Sequence, residues 1–329
     1  MRALLCPASL KGVLGPGPAA AALAEGVRRV EGWQAVECPV ADGGEGTGEL
    51  LRQALGGEWQ SLTVTGPLGA AVSAGYVVLA DGRVVVESAQ AIGLGLINPR
   101  ERDPLQASSA GLGELLHAVL DGSPREVLVC LGGSATVDGG AGLLTLLDRW
   151  PGTVPLEVLC DVRSPLLGPR GAARAFGPQK GATPEAVEEL ERRLAGIARL
   201  QRFAALPGSG AAGGLGAALA SLGGRLLEGA EFVLDLIGFD ELARGATVAI
   251  TGEGAADETT FEGKVPGAVV RRCAAVGVDC ALFSGQAPTD AVRESARSLN
   301  AEIHVLGGGE LRASEDLADL GERIALSCR

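Results

Sequence analysis

The sequence predicts an α/β protein with two domains: a parallel-sheet domain formed by both chain ends, and an inserted α/β domain that carries an antiparallel meander. Three observations lead there. Short apolar runs alternate with helical patterns at both ends of the chain, as parallel strands with helical crossovers do. Near residue 60 that rhythm gives way to alternating strands joined by turn signals. Several strands also run straight into glycine-plus-acid segments, the place where open α/β sheets bind ligands.

Residues 3–6 read as a buried strand, and Pro18 as opening a helix with Leu23, Val27 and Val30 on one face. A second strand over 36–40 runs into Asp42-Gly43-Gly44-Glu45-Gly46-Thr47, followed by a helix through Leu50, Leu51 and Leu55. Strands over 59–65, 72–79 and 83–87 form the meander, with Asp81-Gly82 as a hairpin signal. A helix over 111–120 and a strand over 126–131 lead into the glycine-rich segment 132–140, and a strand over 157–160 ends in Asp161. Thr183 and Pro184 mark a helix start. Val187, Leu190, Leu194 and Ile197 form its apolar stripe, Glu188/Arg192 and Glu189/Arg193 its expected ion pairs, and its end falls near Arg202. A strand over 247–250, helix over 266–276, strand over 280–283, helix over 290–299, strand over 302–306 and a last helix with Leu317, Leu320 and Ile324 complete the chain. Residues 1–58 with 246–329 are thereby expected in one domain and 59–245 in the other.

Composition limits the function. With 47% hydrophobic residues in 329, the chain can bury a sizeable core. A net charge of −12 argues against a nucleic-acid coat or an anionic-membrane binder, because both need a basic surface. Seven scattered cysteines, with no C-x-x-C spacing, fit small buried hydrophobes in a reducing compartment. The apolar run before Cys6 is too short for a signal peptide. The longest uncharged stretch, 203–224, is broken by glycines and a proline and makes a poor membrane helix. A cytoplasmic protein, monomer or homodimer, is expected.

Lysine is scarce: Lys11, Lys180 and Lys264, each beside a glycine, against 25 arginines. Such sites suit a compact ammonium on a phosphate or carboxylate oxygen. Strands end in acids beside glycine: Asp42 and Glu45, Asp138, Asp161, then Glu253 and Asp257. Glycine lets backbone N–H groups approach phosphate, and carboxylates tolerate a polyanion when Mg²⁺ intervenes. Glycine loops, acids and three lysines together point to phosphoryl transfer from a nucleotide, with Mg²⁺ between acids and phosphates. Gly208, Gly210 and Gly213 match G-x-G-x-x-G but follow a helix instead of a strand, so a nicotinamide site is not expected. No G-x-S-x-G elbow occurs, and His117 and His304 each fall inside a regular element.

These segments resemble the bacterial type I glycerate kinases. The resemblance rests on Pro7-Ala8-Ser9-Leu10-Lys11-Gly12, residues 40–47, Val64-Thr65-Gly66-Pro67-Leu68-Gly69, 132–142, Cys160-Asp161-Val162, 176–182, 208–216 and 251–264, in order from residue 3 to about 285. It implies ATP-dependent phosphorylation of D-glycerate, typically at the 2-hydroxyl, with Mg²⁺, and a Rossmann-like domain beside an inserted α/β domain. Lys11, Lys180 and Lys264 would hold phosphate or substrate carboxylate. Asp42, Glu45, Asp138 or Asp161 would supply Mg²⁺ contact and the base that receives the hydroxyl proton. Gly43, Gly44, Gly133, Ser134, Gly210, Gly213, Gly214, Glu253 and Asp257 would line the nucleotide site, with Asp161 and Glu253 as metal ligands. The chain departs from the family's pattern at Ala8 (an Asp), Leu10 (a Phe), Val137 (an Asn), Ala255 (an Arg), Thr259 (a Gln) and the segment Ala110-Gly111-Leu112-Gly113. Those losses leave open a second reading, a homologue that binds ligand without turning it over.

Overall fold

A computed structural model describes residues 1–10, 12–307 and 313–328. The chain divides into two units: residues 1–42 with 230–329, and residues 43–229.

The first unit opens with β1 (Arg2–Leu5), α1 (Pro16–Arg28) and β2 (Gln34–Glu37). In the second unit α2 (Thr47–Leu55) precedes the meander β3 (Gly57–Thr65), β4 (Ala71–Leu79) and β5 (Arg83–Glu87). Short α3 (Ser88–Ile92), α4 (Ala110–Asp121), β6 (Glu126–Cys130), α5 (Ala141–Leu146) and β7 (Leu156–Cys160) follow. Then come α6 (Ala172–Phe176), α7 (Pro184–Gly196), α8 (Ala211–Ser221) and β8 (Arg225–Glu228). The first unit resumes with α9 (Gly229–Leu236), α10 (Phe239–Arg244), β9 (Val248–Glu253), α11 (Val265–Val276), β10 (Asp279–Ser284), α12 (Asp290–Ser298), β11 (Ala301–Val305) and α13 (Ala313–Ser327).

The five strands of the first unit are all parallel, in the order β11-β10-β9-β1-β2. Counted along this unit alone, that is a 2-1-3-4-5 sheet, whose strand order reverses between β1 and β9. Strands β1 and β9 are almost wholly buried, as in a sheet covered on both faces. Alanine and glycine bring α1 and α13 close: a Cβ at Gly26 would lie 1.7 Å from the Ala318 carbonyl oxygen. Leu23, Val27, Leu317, Leu320 and Ile324 complete that core.

The second unit's sheet runs β3-β4-β5-β6-β7-β8, antiparallel from β3 to β5 and parallel from β5 to β8. The meander expected from Asp81-Gly82 is present; Gly82 has φ +86° and the Asp81 carboxylate accepts from the Arg83 N–H at 3.1 Å. A core of Val64, Leu112, Leu115, Leu116, Val127, Val129, Val158, Leu215 and Leu219 lies against this sheet. A smaller cluster joins Val137 and Leu166 to Leu190 and Leu194 of α7.

Several local expectations need correction. Pro16, not Pro18, takes the first helical position of α1. The second strand stops at Glu37, short of Val40. Helix α7 ends at Gly196 and continues as a 3₁₀ turn over Ala198–Phe203. Glu189 pairs with Arg193 at 2.7 Å as expected, but also draws Arg192 at 2.6 Å, because Glu188 turns to Arg174 at 2.5 Å. Elements α3, α5, α6, β8, α9 and α10 are too short or too glycine-rich to carry a clear period. Among the described residues no helix is long and apolar enough to cross a membrane.

Candidate active site

In the first unit Glu253, Asp257 and Lys264 come together just past the end of β9. The ladder continues past both strands: Cys6 N–H donates to Ile250 O at 2.7 Å and Ala8 N–H to Gly252 O at 3.0 Å. The Thr251 hydroxyl donates to Cys6 O at 2.7 Å. Only glycine fits at 252, since a Cβ there would stand 2.2 Å from Phe283 O. The loop after β1 therefore lies against the loop after β9, at the strand-order reversal where parallel sheets bind ligands. Lys11 falls outside the described residues.

The loop after β9 is built by its own side chains. Asp257 caps the 3₁₀ turn Glu258–Phe261, and Thr260 accepts from the Asp257 N–H while donating to Glu253 Oε1 at 2.7 Å. The buried Ser284 hydroxyl accepts from Ala256 N–H at 3.0 Å. Lys264 is the N-cap residue of α11. Its ammonium lies 3.0 Å from Asp257 Oδ1 and 3.7 Å from Glu253 Oε2. Burial pushes the Glu253 carboxyl up, against the pull of Thr260 and Lys264. The Thr259 hydrogen bonds, aided by Lys264, hold Asp257 below the usual carboxylate range. Lys264 is thus already partnered by two acids, which a sequence cannot reveal.

In the second unit two glycine loops touch. A Cβ at Gly43 would lie 2.6 Å from Leu159 Cβ, and one at Gly132 would lie 2.8 Å from Gly44 Cα. Gly133 has φ +62°, and the Glu45 carboxylate rests where its Cβ would point, 1.6 Å from that position. Asp42 immediately precedes this loop in the chain.

Lys180 is buried, 3% exposed. Its ammonium donates to Ser134 Oγ at 2.9 Å and Thr136 O at 2.8 Å. Burial lowers its pKa to about 7, opposed by the charge of Asp138. Asp138 accepts from four donors: Ser109 N–H at 2.9 Å, Ser109 Oγ at 2.7 Å, Gly140 N–H at 3.1 Å and Gly142 N–H at 3.2 Å. The hydroxyl of the fully buried Thr136 has no hydrogen-bond partner among the described residues.

Gly210, Gly213 and Gly214 pack against neighbouring backbone. A Cβ at Gly213 would stand 1.9 Å from Thr136 O, one at Gly214 2.8 Å from Gly139 Cα, and one at Gly210 2.1 Å from Pro165 O. Gly213 O also accepts from Gly139 N–H at 3.0 Å. Asp161, just past β7, lines a cavity of about 380 Å³ with Arg163, Pro207 and Glu228. Among the described residues no three His, Cys, Asp or Glu side chains converge on a common point.

Two residues at the end of β5 escape the sequence reading. Glu87, 4% exposed, accepts from Gly48 N–H at 2.7 Å and Gly46 N–H at 3.1 Å. Burial raises its pKa. Ser88 donates to Gly132 O at 3.1 Å. The available signal is a lone acid closing the apolar run Val84-Val85-Val86 ahead of a serine.

Comparison with known proteins agrees with this architecture. The glycerate kinase family model matches residues 3–151 and 145–323. A Bacillus subtilis protein named glycerate kinase is 35% identical, covering 99% of this chain and 96% of its own length. An Escherichia coli protein named glycerate 2-kinase is 37% identical over 81% of this chain and 80% of its own. A solved Salmonella typhimurium structure, assigned as a glycerate kinase 2, superposes with a TM-score of 0.82 at 33% identity, covering 99% of this chain and 98% of that one. With matches across both units and a shared fold, the chain belongs to the glycerate kinase family.

Proposed function

We propose that this chain transfers the terminal phosphoryl group of ATP, bound with Mg²⁺, to the 2-hydroxyl of D-glycerate, giving 2-phosphoglycerate in the cytoplasm. The observation that carries this reading is the meeting of the β1 and β9 loops at the strand-order reversal, with Lys264 heading α11 beside them. A helix N-terminus with an adjacent ammonium suits phosphate oxygens. The ion pairs of Lys264 with Asp257 and Glu253 hold its ammonium in place until an anion competes for it.

Asp42, Glu45 and Asp161 are the carboxylates proposed to receive the hydroxyl proton or face the metal. Asp138 is assigned a positioning role instead, because its oxygens already serve four donors. Lys180 would polarise Ser134 and the loop 132–136 from beneath. Mg²⁺ held by one or two carboxylates plus nucleotide phosphates needs no all-protein cage, so the donor set is compatible with it. Asp161 fits that part better than Glu253, whose oxygens face Thr260 and Lys264. Bound with the nucleotide, the ion would offset the charge of the phosphates.

The test is purified protein with ATP, Mg²⁺ and a panel of small hydroxy acids, following ADP release, with ³¹P NMR to distinguish 2- from 3-phosphoglycerate. No turnover on any hydroxy acid would sink the kinase reading. One observation favours the second reading, a ligand-binding homologue without turnover: Val137 stands where the family has Asn, and its side chain is fully buried in an apolar cluster. A thermal shift with glycerate or ATP, without ADP formation, would support that alternative.

A further inference from the structure

We infer that Glu87 is a positioning residue for phosphoryl transfer, setting the glycine loop 43–47 and, through it, the Glu45 carboxylate. The inference rests on the kinase reading above. Glu87 ends β5, a strand whose carboxyl end lies beside that of β6 in parallel register, with Glu87 opposite Cys130. The loop 132–134 begins two residues beyond Cys130.

From there the two consecutive residues Glu87 and Ser88 reach both glycine loops. The Glu87 carboxylate accepts from Gly46 and Gly48 N–H, one on each oxygen, while the Ser88 hydroxyl donates to Gly132 O. The N-terminus of α2 is capped by no side chain of its own, and Gly46 has φ +88°. Glu87 thus acts as a cap supplied from a distant strand, satisfying amides that the start of a helix leaves unpaired. A carboxylate also suits the positive end of a helix.

The consequence concerns Glu45. It sits between Gly44 and the captured Gly46 and lies on Gly133 in the space a side chain would fill. Glu45, Gly46 and Glu87 all line one cavity of about 460 Å³, along with Trp59, Ser73 and Gln90. Gly48 admits no side chain without crowding, since a Cβ there would stand 3.2 Å from Glu87 Oε1. Replacing the carboxylate by an amide leaves one acceptor oxygen and turns an NH₂ group toward an N–H. One amide is then unpaired and the loop is free to shift, carrying Glu45 off Gly133.

The experiment compares the full-length parent with Glu87→Gln and with Glu157→Gln. Glu157 is another buried carboxylate of the same sheet, but near the start of β7 and paired with Arg225. Turnover is followed by ADP release at a temperature where all three are folded, with kcat and KM separated, and amide hydrogen exchange is read over 43–48. Glu87→Gln is expected to lose about 30-fold or more in kcat, with fast exchange confined to 43–48, while Glu157→Gln keeps the parent's kcat. A parent that turns over and a Glu87→Gln variant with the same kcat would overturn the inference alone, as would unchanged exchange at 46 and 48. A parent that turns over no hydroxy acid overturns the kinase reading and the catalytic consequence with it, and exchange at 46 and 48 then still decides whether Glu87 holds the loop.

Discussion

The Lys180 ammonium donates to the Ser134 hydroxyl across 2.9 Å from a position only 3% exposed to solvent. Among the described residues it pairs with no carboxylate; its second acceptor is a backbone carbonyl, Thr136 O. A lysine so placed supports a loop from within, and its charge state becomes a property of the fold.

That arrangement predicts a pH dependence of stability. Burial lowers the Lys180 pKa to about 7 in the folded chain, against about 10.4 when unfolded. Between these values the unfolded chain binds more protons, so stability rises with pH. The penalty is complete below about pH 7 and fades toward about pH 10. Melting curves of the parent and Lys180→Met, compared at about pH 6.5 and about pH 9.5, should show the parent gaining on the variant at the higher pH. Parallel behaviour would mean that the ammonium is not desolvated.

Lys264→Arg should harm turnover far more than folding. Lys264 bridges Asp257 and Glu253 at the head of α11, and a guanidinium spreads its charge over a larger planar fork. Stability should move by about 0.5 kcal/mol or less, while ADP release falls about tenfold or more. Unchanged turnover would remove Lys264 from the site.

Asp138→Asn should act first on stability. One oxygen and an NH₂ group cannot serve four donors, so whichever way the amide turns the loop beside α5 loses at least one bond, that from Gly140 on one oxygen or those from Ser109 and Gly142 on the other. The expected cost is about 2–3 kcal/mol, a Tm drop of roughly 5–10 °C. A variant with the parent's Tm but no turnover would instead make Asp138 a chemical participant.

Alkylation of the native protein should mark a single cysteine. Six of the seven are buried and Cys328 is partly exposed. Iodoacetamide under native conditions should add one group, at Cys328, and seven after denaturation, as intact mass reports. Modification of Cys6 or Cys38 in the native state would contradict their burial.

The fold was legible where physics repeats along the chain. Parallel strands buried on both faces are continuous apolar runs, so β1, β6, β7 and β10 stand out, as do Thr183 and Pro184 at the head of α7. The glycine segments were legible as places of close approach, but not what approaches them. Gly213 meets Thr136 O, whereas Gly133 meets the Glu45 carboxylate, and both read only as glycine in the sequence. Burial of single polar groups was least legible. Lys180 and Glu87 take their partners from segments 44 and 39 residues away, and no local period marks such pairs.

Because β1 lies between β2 and β9, the sheet of the first unit cannot close until residues beyond 248 have been made. On a ribosome the amino-terminal strands therefore wait while the whole intervening unit is synthesised, roughly 10–40 s at ordinary elongation rates. During that interval β1 and the alanine-rich face of α1 have neither β9 nor α13 to cover them. The nascent chain should then be a holdase client whose demand ends with translation of β9, and circular permutation that makes both halves of this unit contiguous should shorten its dependence on chaperones.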